Sequence, residues 1–259
     1  MVEKEGYIAR KHQIARAVGE RLLTSIPFAP LPSEVVHPER LKVADAYLRM
    51  GRGLVILGPH FSRKETMQIF QIPYRDPEMR KRRIVFPVAR HQRKRAMDIF
   101  APFFDVEPKS IVTRETQAWA RTKGLPIPDR SEGTKEYLDD VFDALSHGGI
   151  TILFPQTTRQ STLGTAKGHR ALTMFLLEGR QRGVDLSQLV FLFVGVDGVG
   201  IKDYAKSKGY NFTKMFRLVI GNTLTGEQLL ERAGRLIHVD EVFYEEMAGL
   251  VSPKYAGKA

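Results

Sequence analysis

The chain has 259 residues, 42% of them hydrophobic and 27% charged, enough for one large globular domain or a domain with an extension. It has no cysteine, which excludes disulfides, thiolate metal sites and a cysteine nucleophile and fits a reducing compartment. The net charge of +11 and pI of about 9.8 imply an anionic partner: phospholipid headgroups, nucleic acid or a phosphorylated molecule.

In chain order, the opening residues Met1 to Tyr7 lack the apolar stretch of a signal peptide. Residues 8–26 read as a helix, because Ile14, Val18, Leu22 and Ile26 recur every fourth position among Arg10, Lys11, Arg16 and Arg21. Either it packs against the rest of the chain or it lies on an anionic membrane. Pro27, Pro30 and Pro32 end it, and a shorter helix from Pro38 to Met50 follows, closed by Gly51. Residues 1–50 are therefore expected to form a helical extension, and 51–259 the main domain.

A recurring grammar follows. Strands are expected at Gly53–Leu57, Ile84–Val88, Ser110–Thr113, Ile150–Phe154, Leu189–Val196 and Met215–Ile220. Helices are expected from Ser62 to about Gln71, Arg93 to Phe104, Thr134 to His147, Lys167 to Arg182, after Thr225, and from Asp240 to Gly249. Alternating strands and helices point to an α/β fold, a central mixed, largely parallel sheet flanked by helices. The segment from Asp105 to Gly133, with Pro108, Gly124, Pro126 and Pro128, reads as a long loop, a lid or an acceptor-binding element. The longest apolar run, Leu189 to Val196, is too short to span a bilayer, so a soluble or peripheral cytoplasmic protein is expected.

Ligands of such sheets bind beyond the carboxyl ends of strands. Two expected strands end in polar motifs. The first runs into Gly58-Pro59-His60-Phe61-Ser62-Arg63-Lys64-Glu65. A neutral imidazole accepts a proton near neutral pH, and a carboxylate on its other nitrogen fixes tautomer and orientation, so His60 is a candidate general base and Glu65 its orienting partner. Ser62-x-x-Glu65 also fits a helix capping box, which would turn Glu65 to the Ser62 backbone instead. The second motif is Phe154-Pro155-Gln156-Thr157-Thr158-Arg159, followed by Lys167-Gly168. Its hydroxyls, amide and arginine make either a phosphate cradle or an ordinary polar turn.

A basic cluster, Arg80, Lys81, Arg82, Arg83, Arg90, Arg93, Lys94 and Arg95, is either a solvated face or a contact for anionic lipid or acyl-carrier phosphates. Nucleic acid is disfavoured, since no recognition signature accompanies the cluster. There is no P-loop and no G-x-S-x-G elbow. The seven histidines are scattered without metal-ligand spacing, so no metal is expected.

Taken in order, these blocks resemble the glycerolphosphate acyltransferase family, the PlsC-like lysophosphatidic acid acyltransferases. His60 to Glu65 resembles its histidine–aspartate block, and Ser110-Ile111-Val112-Thr113-Arg114 its strand ending in arginine. Phe154 to Arg159 resembles its phenylalanine-proline-glutamate-glycine-threonine-arginine block, and Lys167-Gly168 the pair that follows it. Phe191 to Val196 stands at its fourth block and Leu218 to Gly221 at the next strand; together the blocks span roughly residues 50 to 225.

The resemblance implies a PlsC-like fold and direct acyl transfer from acyl-CoA or acyl-carrier protein, as co-substrate, to the hydroxyl of a glycerol-phosphate or lysophospholipid acceptor. No resident cofactor or metal is implied. His60 and Glu65 would be catalytic. Arg114, Phe154, Pro155, Gln156, Thr157, Thr158, Arg159, Lys167 and Gly168 would bind substrate, Arg114 and Arg159 holding the phosphate. Glu65 stands where the family has aspartate, Gln156 where it has glutamate and Thr157 where it has glycine, and the fourth block lacks its proline. The different-class alternative is a descendant that binds anionic lipid or a phosphorylated ligand without turnover.

Overall fold

A computed structural model describes residues 34–61, 69, 72–73, 76–92, 106–156, 162–198 and 216–256. The helices expected at 8–26 and 93–104, and all but Ile69 of the one expected at Ser62–Gln71, lie outside the described residues. The described elements in chain order are β1 (Glu34–Val36), α1 (Leu41–Arg49), β2 (Gly53–Leu57), β3 (Ile84–Ala89), β4 (Val106–Ile111), α2 (Arg114–Thr122), α3 (Arg130–Ser146) and β5 (Ile150–Leu153). Then come α4 (Ala171–Gln181), β6 (Leu189–Gly198), β7 (Phe216–Thr225), α5 (Gly226–Ala233), α6 (Val239–Ala248) and α7 (Pro253–Ala256). Strand pairing is mixed and mostly parallel, with helices interspersed: an α/β fold.

The chain divides into two compact units. The first comprises the described residues of Pro30–Arg82 and Leu145–Ala259. Its strands run in the order β1-β7-β6-β2-β5, parallel except for the antiparallel β6–β7 pair. β2 is hydrogen-bonded on both sides and buried throughout, which is why Gly-Leu-Val-Ile-Leu shows no polar alternation. Phe191, Phe193, Phe243, Leu48 and Tyr255 are among its largest fully buried side chains. β1 is an edge strand on β7, and α1 packs on β2, β6 and β7, so residues 34–50 are built into this unit.

The helix expected from Lys167 begins at Ala171 instead. Lys167 and Gly168 form a turn, Gly168 at φ +81°. The start is set by Asp240 of α6, whose buried carboxylate accepts from the Leu172 and Thr173 N–H groups (3.0 and 2.9 Å) and the Thr173 hydroxyl (2.6 Å). A carboxylate there satisfies orphan donors and complements the helix dipole.

The second unit, Arg83–Ala144, holds the parallel pair β3–β4 with α2 and most of α3. It corrects the loop expected over Asp105–Gly133: that segment contains the end strand β4, all of α2 and the start of α3. Likewise the strand expected at Ser110–Thr113 runs from Val106 to Ile111. Pro108, which suggested a loop, is tolerated because among the described residues β4 pairs on one side only. Thr113 caps α2 through a reciprocal capping box with Thr116. The residues α2 turns inward, Thr116 and Ala120, are small or polar, each 2% exposed, so its apolar periodicity is faint.

Members of the basic cluster are engaged within their units. Arg82 donates to the Leu48 carbonyl (2.7 Å), and Lys81 pairs with Glu78 (2.8 Å). Arg83 grips both Glu107 oxygens (2.8 and 2.9 Å) and reaches Asp143 (2.6 Å). The Arg83 guanidinium holds the Glu107 carboxyl below its usual range. Among the described residues no helix is long and apolar enough to cross a membrane.

Candidate functional site

β2 and β5 are parallel neighbours in register, Leu57 opposite Leu153, and Gly58 N–H continues the ladder to the Leu153 carbonyl (3.2 Å). His60 and Gln156 each lie three residues beyond that last pair, so both emerge at the same edge. This is the carboxyl end of the strands, where α/β sheets hold their ligands.

Gln156 makes the connection. It is 0% exposed, and its Oε1 accepts from the His60 backbone N–H at 2.5 Å. Its Nε2 donates to the Leu163 carbonyl (2.9 Å) and the Thr162 carbonyl (3.2 Å). An amide suits this position because one end must accept while the other donates twice. A carboxylate would accept from His60 but would face two carbonyl oxygens with nothing to donate. Gln156 is thus a structural staple that holds the His60 backbone and the loop after β5.

The loop is held from the other side as well. Leu163 N–H donates to the Tyr255 carbonyl (2.6 Å), and the buried Tyr255 ring lies 5.7 Å from Phe61, the neighbour of His60. The His60 ring is half-buried, 5.0 Å from the Phe154 ring and inclined to it by 31°. Pro59 and Pro155 are buried on either side of this contact. Gly58 is required by close approach: a Cβ there would collide with Ile69 Cδ1 and sit 3.5 Å from Phe154 Cε1. The arrangement presents one imidazole on an apolar aromatic support, its backbone clamped. Such a group can take up and return a proton at a fixed place.

The other expected residues divide. Phe154, Pro155 and Gln156 come together with His60 as described. Glu65, Thr157, Thr158 and Arg159 lie outside the described residues, so the choice between orienting carboxylate and capping box for Glu65 falls there too. Lys167 is exposed in its turn. Arg114 is the exposed first residue of α2, in the Arg83–Ala144 unit. Among the described residues no cluster of His, Asp and Glu could hold a metal ion. A cavity of about 300 Å³ lined by Glu107, Pro108, Lys109, Ser110, Glu136 and Tyr137 contains none of the expected site residues.

Sequence reasoning singled out His60 but missed what holds its backbone. The available signal was the equal offset of His60 and Gln156 from two adjacent parallel strands. Tyr255, near the chain's end, gave no signal at all, because it acts through its backbone carbonyl. Compared with protein-family models and with curated proteins, the chain matches none.

Proposed function

We propose that the protein is a PlsC-like O-acyltransferase. It moves a fatty acyl group from acyl-CoA or acyl-carrier protein to the hydroxyl of a glycerol-phosphate or lysophospholipid-type acceptor. The observation that carries this reading is the clamped, half-buried His60 at the carboxyl ends of β2 and β5, at the start of a run of blocks ordered as in that family.

In this reading the imidazole removes the proton from the acceptor hydroxyl as the oxygen attacks the thioester carbonyl. The C–S bond then breaks, and the thiolate leaves with the proton that His60 returns. Glu65 stabilises the imidazolium, and Arg159 binds the acceptor phosphate. The protein works in the cytoplasm, peripheral to the inner face of a membrane.

One observation favours a second reading, a non-catalytic binder of anionic lipid or a phosphorylated ligand. Gln156 replaces the family's glutamate, and its amide is committed to three backbone groups. The test offers purified protein labelled acyl-CoA and acyl-carrier protein with a panel of glycerol-phosphate and lysophospholipid acceptors. Turnover with at least one pair, reduced in Glu65→Gln and Arg159→Ala, supports the transferase. Tight acceptor binding with no turnover for any pair supports the binder.

A further inference from the structure

Seven large hydrophobic side chains are conspicuously exposed among the described residues, and three of them, Trp119 (41%), Leu125 (47%) and Ile127 (50%), fall within a single nine-residue stretch. The stretch is the C-terminal turn of α2 and the segment leaving it. It is not a slack loop. α2 ends in a Schellman motif: Leu125 N–H donates to the Ala120 carbonyl (3.0 Å), Gly124 N–H donates to Arg121 (3.1 Å), and Gly124 takes φ +64°. The following Leu125-Pro126-Ile127-Pro128 is tied back by Gln117 Nε2 donating to the Pro128 carbonyl (3.1 Å). In this motif the residue after the glycine usually folds onto the helix. Here Leu125 stays nearly half exposed, while Ala120 beneath is 2% exposed.

The charges between Thr116 and Pro128 have one sign, with the exposed Asp129 just beyond the segment's end. From Thr116 to Pro128 the only charged residues are Arg121 and Lys123, both exposed, and there is no carboxylate. Pro126 and Pro128 lack backbone donors, so lowering this segment toward apolar surroundings strands fewer N–H groups than an ordinary loop would. A tryptophan and two aliphatic side chains beside an arginine and a lysine is the composition of an interfacial membrane anchor. A protein partner fits poorly, since a stable protein interface engages about 20–30 residues a side.

We propose that this tip, Trp119, Leu125 and Ile127 with Arg121 and Lys123, docks the protein on the surface of an anionic lipid bilayer. The apolar trio enters the headgroup layer and the two cations pair with lipid phosphates. The docking stands whether or not His60 is catalytic.

Trp119 is the only tryptophan of the chain, so its emission reports on the tip alone. The experiment titrates the full chain with vesicles of phosphatidylcholine, and of phosphatidylcholine mixed with phosphatidylglycerol. The expected result is a blue shift of Trp119 emission with the anionic vesicles, quenching by lipids brominated on their acyl chains, and reversal by salt. Leu125→Ser with Ile127→Ser lowers partitioning about tenfold, as expected for two aliphatic side chains withdrawn from an apolar layer. Arg121→Glu with Lys123→Glu removes the preference for anionic vesicles. Brominated-lipid quenching of the unaltered protein needs no variant and so survives any failure of the variants to fold. Vesicle binding without a Trp119 shift would place docking elsewhere on the chain and overturn the proposal. So would a shift that follows protein concentration in the absence of vesicles, the sign of a second copy, and so would no binding.

Discussion

The edge at β2 and β5 and the tip of α2 treat side chains in opposite ways. At the edge, a polar group is buried and fully used: Gln156, at 0% exposure, spends its amide on three backbone groups. At the tip, apolar groups are left in water on a backbone held as firmly by its own hydrogen bonds. Burying a polar group is favourable only when each of its atoms is paired, and exposing apolar surface carries a cost that a folded chain ordinarily avoids. The edge is therefore organised inward, to fix the backbone at His60 and the loop after β5. The tip leaves Trp119, Leu125 and Ile127 exposed, and docking is the use proposed for them.

The sharpest way to break this contrast is to replace the buried amide at the edge with a carboxylate. Gln156→Glu is expected to lose about 3 kcal/mol, because a buried carboxylate would face the Thr162 and Leu163 carbonyls. That corresponds to a fall in Tm of about 6–12 °C, measured by thermal unfolding. A variant as stable as the parent would mean that the staple is not what holds the edge.

Asp45 sharpens the contrast within the same unit. Its carboxyl is pushed up to about 7, first by burial and then by the neighbouring Asp76. A carboxyl raised on folding favours the folded state in its protonated form. Stability is thus greatest below the unfolded value of 3.8 and is lost as pH rises through about 7. Asp45→Asn is expected to flatten that decline and to raise Tm by about 2–4 °C at pH ~8, a gain of about 1 kcal/mol. An unchanged pH profile of unfolding would remove Asp45 from the explanation.

The smallest effect belongs to the tip. Leu125→Ser is expected to change stability by less than about 0.5 kcal/mol, since the side chain supports little of the folded chain. Chemical denaturation checks this, and a loss of about 2 kcal/mol would show that Leu125 is packing rather than docking.

The sequence displayed what depends on continuous apolar runs. β2, β5 and the start of β6 were legible because buried parallel strands need no polar alternation. It concealed what depends on remote or unusual partners. β1 is three residues long and exists through its pairing with β7. β4 was masked by Pro108, and α2 by inward residues as small as Thr116 and Ala120. In the site, His60 was visible as a polar residue ending an apolar run. The staple under it was not, because Gln156 and His60 are 96 residues apart and meet through a backbone N–H that carries no sequence signature.

The central claim is that His60 is the base of an acyl transfer. Its most direct test is the rate of acyl transfer to the best acceptor by His60→Ala beside the unaltered protein, with matched thermal unfolding. The expected result is a loss of about 10²–10⁴-fold without loss of fold, the range contributed by a positioned general base. Transfer at an unchanged rate in His60→Ala would contradict the claim.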